Sequence, residues 1–317
     1  MRPTGKLHLG HLVGALENWV SLQHEYQNFH LIADYHALTT NLDTGELYQN
    51  SIDMVIDWLS SGIDPQKSPI FRQSQIKQHT ELHLIFSMLI TIARLERNPT
   101  VKDQARDLHI DSLVYGHLGY PVLQAADILL YKGEVVPVGE DQVPHVEITR
   151  EIARRFNNHW GDVFPEPEPK LTKFPRLTGL DGNQKMSKSL DNAILISDAP
   201  EEVQKKMRKA VTDPLKVHKH DPGRPDVCVV FSYHKVFNPE EVEEIRRDCE
   251  SGALGCVECK RRASEKISAR LAPIREKRAH YETHLDEVKE ILHSGEERAR
   301  SEAEKTMDDV HRVMKIG

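Results

Sequence analysis

No apolar run in this sequence approaches the roughly 20 residues needed to span a bilayer, which excludes a helical membrane protein. The opening residues lack the charged-then-apolar order of a secretory leader, so the expected compartment is the cytoplasm. Cysteine is scarce. Four in 317 residues, in a chain with no sign of export, do not make a disulfide framework. Internal repeats are missing, and the only low-complexity stretch is the Glu-Pro alternation at 165–169. Excess positive charge is missing too: the formal net charge of -7 argues against indiscriminate nucleic-acid binding, although it leaves room for a local basic surface. What remains, 38% hydrophobic and 29% charged residues, describes a soluble globular protein long enough for two domains and a sizeable core.

Apolar residues at Leu9, Leu12, Val13, Leu16 and Val20 follow helical spacing after the Pro3-Thr4-Gly5 turn. Phe29 to Ala33 reads as a buried strand, Leu47 to Ser61 as a helix and Pro69 to Arg72 as a second strand. A long helical pattern runs from Leu82 to Leu95, and the polar segment from Arg97 to His109 reads as a mobile connection. Val122 to Tyr131 reads as a helix, Val135 to Val138 as a strand and Val143 to Phe156 as a helix. This alternation predicts an α/β domain with a parallel sheet, and a strand that opens onto Gly139-Glu140-Asp141-Gln142 is where such folds place ligands. The 165–169 stretch reads as an extended surface connection, and the chain beyond about Pro200 is helical, charged and poor in strand signals. The expected division is a Rossmann-like catalytic domain over 1–195, including a connective segment near 80–120, followed by an all-helical domain over 196–317.

Two short stretches carry chemistry. His8-Leu9-Gly10-His11 falls in a first helical turn, where unpaired N–H groups and the helix dipole favour negative charge. Lys185-Met186-Ser187-Lys188-Ser189 forms a cationic loop. Alone, either motif reads as ordinary surface. Together, with an α/β domain between them, they suit nucleotidyl transfer: His8 and His11 as donors at the α-phosphate, Lys185 and Lys188 as cations for departing pyrophosphate, and Gly10 for close approach by adenine.

These two stretches resemble the signatures of class I aminoacyl-tRNA synthetases, with Leu9 where isoleucine is usual. The Gly139-Glu140-Asp141-Gln142 element is similar to that of the tyrosine and tryptophan enzymes, and Tyr120 to Tyr131 looks like the tryptophan-binding helix. The resemblance implies that Asp127 accepts the indole N–H, with Tyr120, Gln124, His36, Val136, Val138 and Gln142 around the amino acid. It places Arg2, Pro3, Thr4, Gly10, His11, Lys102, Gly139, Glu140, Asp141, Leu177, Lys185, Met186, Ser187, Lys188 and Ser189 against ATP, which arrives with Mg2+. It implies catalysis by His8, His11, Lys185 and Lys188, tRNA(Trp) and L-tryptophan as partners, a homodimer formed near 80–120, and a β-strand ahead of the position of Met1. A tyrosyl-tRNA synthetase, a non-catalytic RNA-binding paralogue and a nucleotidyltransferase making dinucleotide cofactors are the rival readings.

Cys228, Cys249, Cys256 and Cys259 form the pattern C-x20-C-x6-C-x2-C. Zinc sites commonly use two close pairs, and here only Cys256 and Cys259 make one; irregular thiolate spacing also suits an iron-sulfur cluster. Some tryptophanyl-tRNA synthetases carry a [4Fe-4S] cluster on a similar pattern, so the cluster is the preferred expectation and zinc the alternative. The basic residues from Lys260 to Arg278 read either as a solvated face or as a track for tRNA phosphates.

Overall fold

The computed structural model describes residues 1–107, 113–171, 177–182, 186–187 and 190–316. The chain enters as α1 (Leu9–His11), widens into a π-turn over Leu12–Leu16 and resumes as α2 (Glu17–Leu22). Two parallel βαβ units follow. In the first, β1 (His30–Ile32) leads through α3 (Asp34–Leu38) and α4 (Leu47–Ser60) to β2 (Ile70–Arg72), with His30 opposite Ile70 and Ile32 opposite Arg72. A helical layer of α5 (Gln78–Ser87), α6 (Ile92–Glu96), α7 (Pro99–Asp107) and α8 (Tyr115–Leu129) then precedes the second unit. There β3 (Val135–Val138) crosses through α9 (Val143–Trp160) to β4 (Glu168–Leu171), pairing Val135 with Glu168 and Val138 with Leu171. Parallel neighbours require such crossovers, and the helices cover the strands' apolar faces. The expected α/β part with a helical C-terminal part is therefore present.

Four local expectations need correction. The pattern from Leu82 to Leu95 is not one helix: α5 stops at Ser87, and Thr91 caps a new start by accepting the Arg94 N–H at 3.3 Å. The polar segment read as a mobile connection contains α7, nucleated by Asn98, whose side chain accepts the Thr100 N–H at 3.0 Å, and by Pro99 in the first turn. Helix α8 begins seven residues before Val122 and runs through Pro121. The Glu-Pro connection ends as β4, an edge position that tolerates the missing Pro169 N–H.

The remaining helices are α10 (Pro200–Lys209), α11 (Val229–Phe237), α12 (Val242–Glu250), α13 (Cys256–Thr283) and α14 (Leu285–Met314). They share cores with the α/β part. Ile267, Leu271, Val288 and Leu292 pack in one cluster with Leu9, Leu12 and Trp58, while Ala299, Ala303 and Met307 join Phe71, Phe86 and Phe156 in another. Most of the basic run on α13 is already neutralised. Arg261 pairs with Glu258 and Glu265, Arg262 with Glu258 and Glu244, Lys266 with Glu240 and Glu241, and Arg270 with Glu17 at 2.8 Å.

Helix α14 lies directly on β2. A Cβ built on Gly295 would overlap the Ile70 carbonyl oxygen and stand 2.9 Å from the Ile70 nitrogen, and beside it Glu296 accepts from Arg72 Nε at 2.6 Å. Backbone cannot yield as a side-chain tip does. Gly295→Ala is therefore expected to lower unfolding free energy by about 2 kcal/mol or more, within the usual range for overpacking; urea denaturation checks this, and a loss under roughly 0.5 kcal/mol would mean that the helix floats off the strand at little cost.

Candidate active site

The first signature is held from two sides. On one, the Leu9 N–H donates to the Ile194 carbonyl at 2.9 Å, the Ile196 N–H donates to the Leu7 carbonyl at 3.0 Å, and His8 bridges Leu195 in antiparallel fashion. On the other, the Leu7 N–H donates to Asp57 Oδ2 at 2.7 Å. The His8 and His11 rings lie 3.8 Å apart, and the His8 N–H donates to His11 Nδ1 at 3.3 Å, closing a reciprocal cap at the start of α1. Gly10 fits between the signatures: a Cβ there would meet the His8 ring at 3.0 Å and the Met186 Cβ at 3.8 Å. The two motifs read from sequence are thus brought together through Met186. Leu177 and Met186 are buried in the same core cluster, and the Ser187 N–H donates to Asn192 Oδ1 at 2.7 Å. Lys185, Lys188 and Ser189 lie outside the described residues.

Between β1 and β3 opens a cavity of about 750 Å³. Arg2, His36, Tyr120, Gln124, Asp127, Val136 and Gln142 line it, whereas Val138 is buried at the end of β3 and is not among its lining residues. Tyr120, Gln124 and Asp127 come from a single face of α8 because they are spaced four and three residues apart. Asp127 is closely attended: Oδ2 lies 2.8 Å from His36 Nε2, while Oδ1 accepts from Gln73 Nε2 at 2.7 Å and stands 2.7 Å from His79 Nδ1. Burial pushes its carboxyl up, but hydrogen bonding and charge from His36 and His79 outweigh burial and hold it below the usual carboxylate range. It therefore stays ionised, and among the described residues Oδ2 is bound to His36 alone, which leaves acceptor capacity on that oxygen. Tyr120 closes the wall with its hydroxyl 2.6 Å from His145 Nε2, and burial lowers His145 to about 4, so that ring remains neutral at physiological pH.

Gln73 and His79 escaped the sequence reading. They approach Asp127 from the turn after β2 and from α5, 54 and 48 residues from it, and nothing in their local pattern marks them. The turn after β3 carries Gly139, where a Cβ would meet Asp141 Oδ1 at 2.7 Å, and the Gln142 N–H donates to the Gly139 carbonyl at 3.0 Å. Thr100 docks α7 there by donating to the Asp141 carbonyl at 3.1 Å, which brings the helix bearing exposed Lys102 beside this turn. Glu140 and Asp141 are exposed, Pro3 is buried in the entry turn, and the Thr4 N–H donates to the Arg2 carbonyl at 3.1 Å.

Cys228, Cys249, Cys256 and Cys259 are unbridged and line one small cavity of about 20 Å³ together with Asp213 and Lys216. Burial first, and then the neighbouring thiols, push Cys259 up to about 12. Among the described residues, no group of three or more His, Cys, Asp or Glu side chains is drawn together as a metal-ligand set.

A family model described as tRNA synthetases class I (W and Y) matches residues 1–272. Tryptophan–tRNA ligase of Aquifex aeolicus is 44% identical, with 100% of this chain and 98% of the relative covered, and that of Thermotoga maritima is 48% identical over the same shares. The crystal structure of Campylobacter jejuni tryptophanyl-tRNA synthetase complexed with ADP and tryptophan superposes with a TM-score of 0.88 at 36% identity, covering 100% of this chain and 98% of that one. A chain whose two sequence signatures meet at Gly10 and whose sequence follows these enzymes along its whole length belongs to the class I tRNA synthetases of the tryptophan and tyrosine group.

Proposed function

We propose that this chain activates L-tryptophan with Mg-ATP to tryptophanyl-adenylate and pyrophosphate, then passes the acyl group to tRNA(Trp). The observation that carries the choice of amino acid is the ionised Asp127 on the cavity wall, with acceptor capacity left on Oδ2: indole offers one donor and no acceptor, so a single charge-assisted bond recognises it. Its relatives' function supports the same reading. The α-phosphate is then attacked by the tryptophan carboxylate while His8 and His11 donate to phosphate oxygens, Lys185, Lys188 and Lys102 draw charge onto the departing pyrophosphate, and the Gly139–Asp141 turn holds the ribose. Mg2+ enters with the ATP phosphates. Cytoplasmic residence fits such an enzyme, and among the described residues no helix is long and apolar enough to cross a membrane.

Tryptophan is expected to be the amino acid that drives pyrophosphate exchange into ATP. Exchange driven instead by tyrosine, or by none, would replace this reading with one of its rivals. Asp127→Asn should lower kcat/KM for tryptophan more than tenfold, as loss of a charge-assisted bond worth roughly 1.5 to 3 kcal/mol requires. Unchanged efficiency would remove Asp127 from recognition.

The four cysteines are proposed to hold a [4Fe-4S] cluster, with zinc as the alternative. In favour stand four unbridged thiols facing one cavity, an all-sulfur donor set that suits soft metals, and the linkage of three separate segments that ligation would tie together. The cluster would brace the helical part; the activation chemistry needs no electron from it. Anaerobically purified protein should be brown and contain about four irons per chain, with Cys256→Ser loosening the helical part and weakening tRNA charging while leaving tryptophan-dependent exchange largely intact. Colourless protein with one tightly held zinc would establish the alternative.

A homodimer formed through the 80–120 segment is also proposed, because exposed Leu84, Met88, Ile92, Val114 and Tyr115 concentrate there. Light scattering should give a dimer mass, and a monomer for Leu84→Glu with Met88→Glu; a dimer that survives this double change places the interface elsewhere.

A further inference from the structure

The ligase reading leaves one buried group outside its chemistry. Asp57, in the last turn of α4, is 0% exposed, and its two oxygens face two different parts of the protein. Oδ2 accepts the Leu7 N–H at 2.7 Å, and Oδ1 pairs with Arg278 Nη1 of α13. Arg278 is itself 2% exposed, donates from Nε to Glu282 at 3.0 Å and has Asp53 of α4 3.7 Å from its second terminal nitrogen. Taking a carboxylate and a guanidinium out of water costs far more than their attraction returns unless geometry and further hydrogen bonds compensate. An apolar pair would hold two helices together at least as well, so a purely cohesive role does not account for this arrangement. What the charged pair adds is direction: a carboxylate anchored at one oxygen by Arg278 presents the other at a fixed point to a backbone amide.

That amide belongs to the residue before His8. The same segment also exchanges backbone hydrogen bonds with Ile194 and Ile196, so the residues leading into α1 are held both by Asp57 and by that short bridge. Helix α13 reaches this bridge as well. Asp198 accepts the Leu195 N–H at 2.8 Å and pairs with Lys206 of α10 at 2.7 Å, and its carbonyl accepts from Arg275 at 3.4 Å. Both sides of the first signature are thus braced by arginines of the helical part.

We propose that Asp57 is a positioning residue for adenylate formation: gripped by Arg278, its buried carboxylate fixes the Leu7 backbone and thereby the placement of His8, so that the seating of α13 sets the competence of the active site. The inference rests on the ligase reading for its kinetic readout and on the Leu7 amide for a readout that does not. In Asp57→Asn, one carbonyl oxygen remains for two donors, and the new amide group faces one of them as a donor. Such a change should lower kcat for tryptophan-dependent pyrophosphate exchange about tenfold or more, a misplacement effect, while KM for tryptophan stays within about twofold because its pocket lies on α8 and β3. Arg278→Gln should do the same, and Arg278→Lys, which keeps a cation without the fork, should fall between it and the unmutated protein. Hydrogen exchange at the Leu7 amide, followed by mass spectrometry on the same samples, should quicken in the order Lys, Gln and Asn. Should Asp57→Asn and Arg278→Gln fail to fold, Arg278→Lys decides alone. Unchanged kcat with unchanged Leu7 exchange in the folded variants overturns the proposal, as does a loss of kcat matched by loss of tryptophan affinity. If the unmutated chain exchanges no pyrophosphate with tryptophan, the ligase reading fails, and Leu7 exchange still tests the positioning.

Discussion

The placement of three residues, Leu7 to Leu9, is the constraint on which the site depends. They form no strand long enough to stabilise itself, and a nearby π-turn widens the helix that follows. Their position comes from a carboxylate on one flank and a backbone ladder on the other. Because that ladder runs through Ile194 to Ile196, a few residues beyond Ser187, a common piece of backbone helps to set the spacing of the two signatures.

The wall of the cavity obeys a different economy. The carboxylate of Asp127 must remain charged in a buried site, and two imidazoles and an amide donate or lie close enough to hold it so. Among the described residues Oδ2 is bound to His36 alone, which keeps room on that oxygen for another donor. Tyr120 and His145 rigidify the adjoining wall through one hydrogen bond and a stacked pair of rings 5.1 Å apart.

The signatures, the face of α8 and the turn after β3 are legible in sequence because each is contiguous, with geometry set by helical spacing or by glycine. His79 and Gln73 are not, since their relation to Asp127 exists only after β2 and α5 pack against α8. Helix α7 had its signal in Asn98-Pro99, but a polar composition masks amphipathic periodicity, and Val101 is the buried side chain among the helix's described ones. The destination of the α13 arginines was equally hidden. A run of basic residues looks the same in sequence whether its partners are phosphates or, as for Arg270 and Arg278, carboxylates more than 200 residues away.

The seating of α14 on β2 joins residues far apart in the chain: Arg72 and Glu296 are 224 residues apart. At translation rates of roughly 5 to 20 residues per second, β2 leaves the ribosome about ten to forty-five seconds before the helix that covers it. During that interval the face of β2 that α14 later covers stays open, and α4 waits for α13 through most of it. A nascent chain of this design keeps that surface open for most of its synthesis, and α14 closes it only when Gly295 arrives.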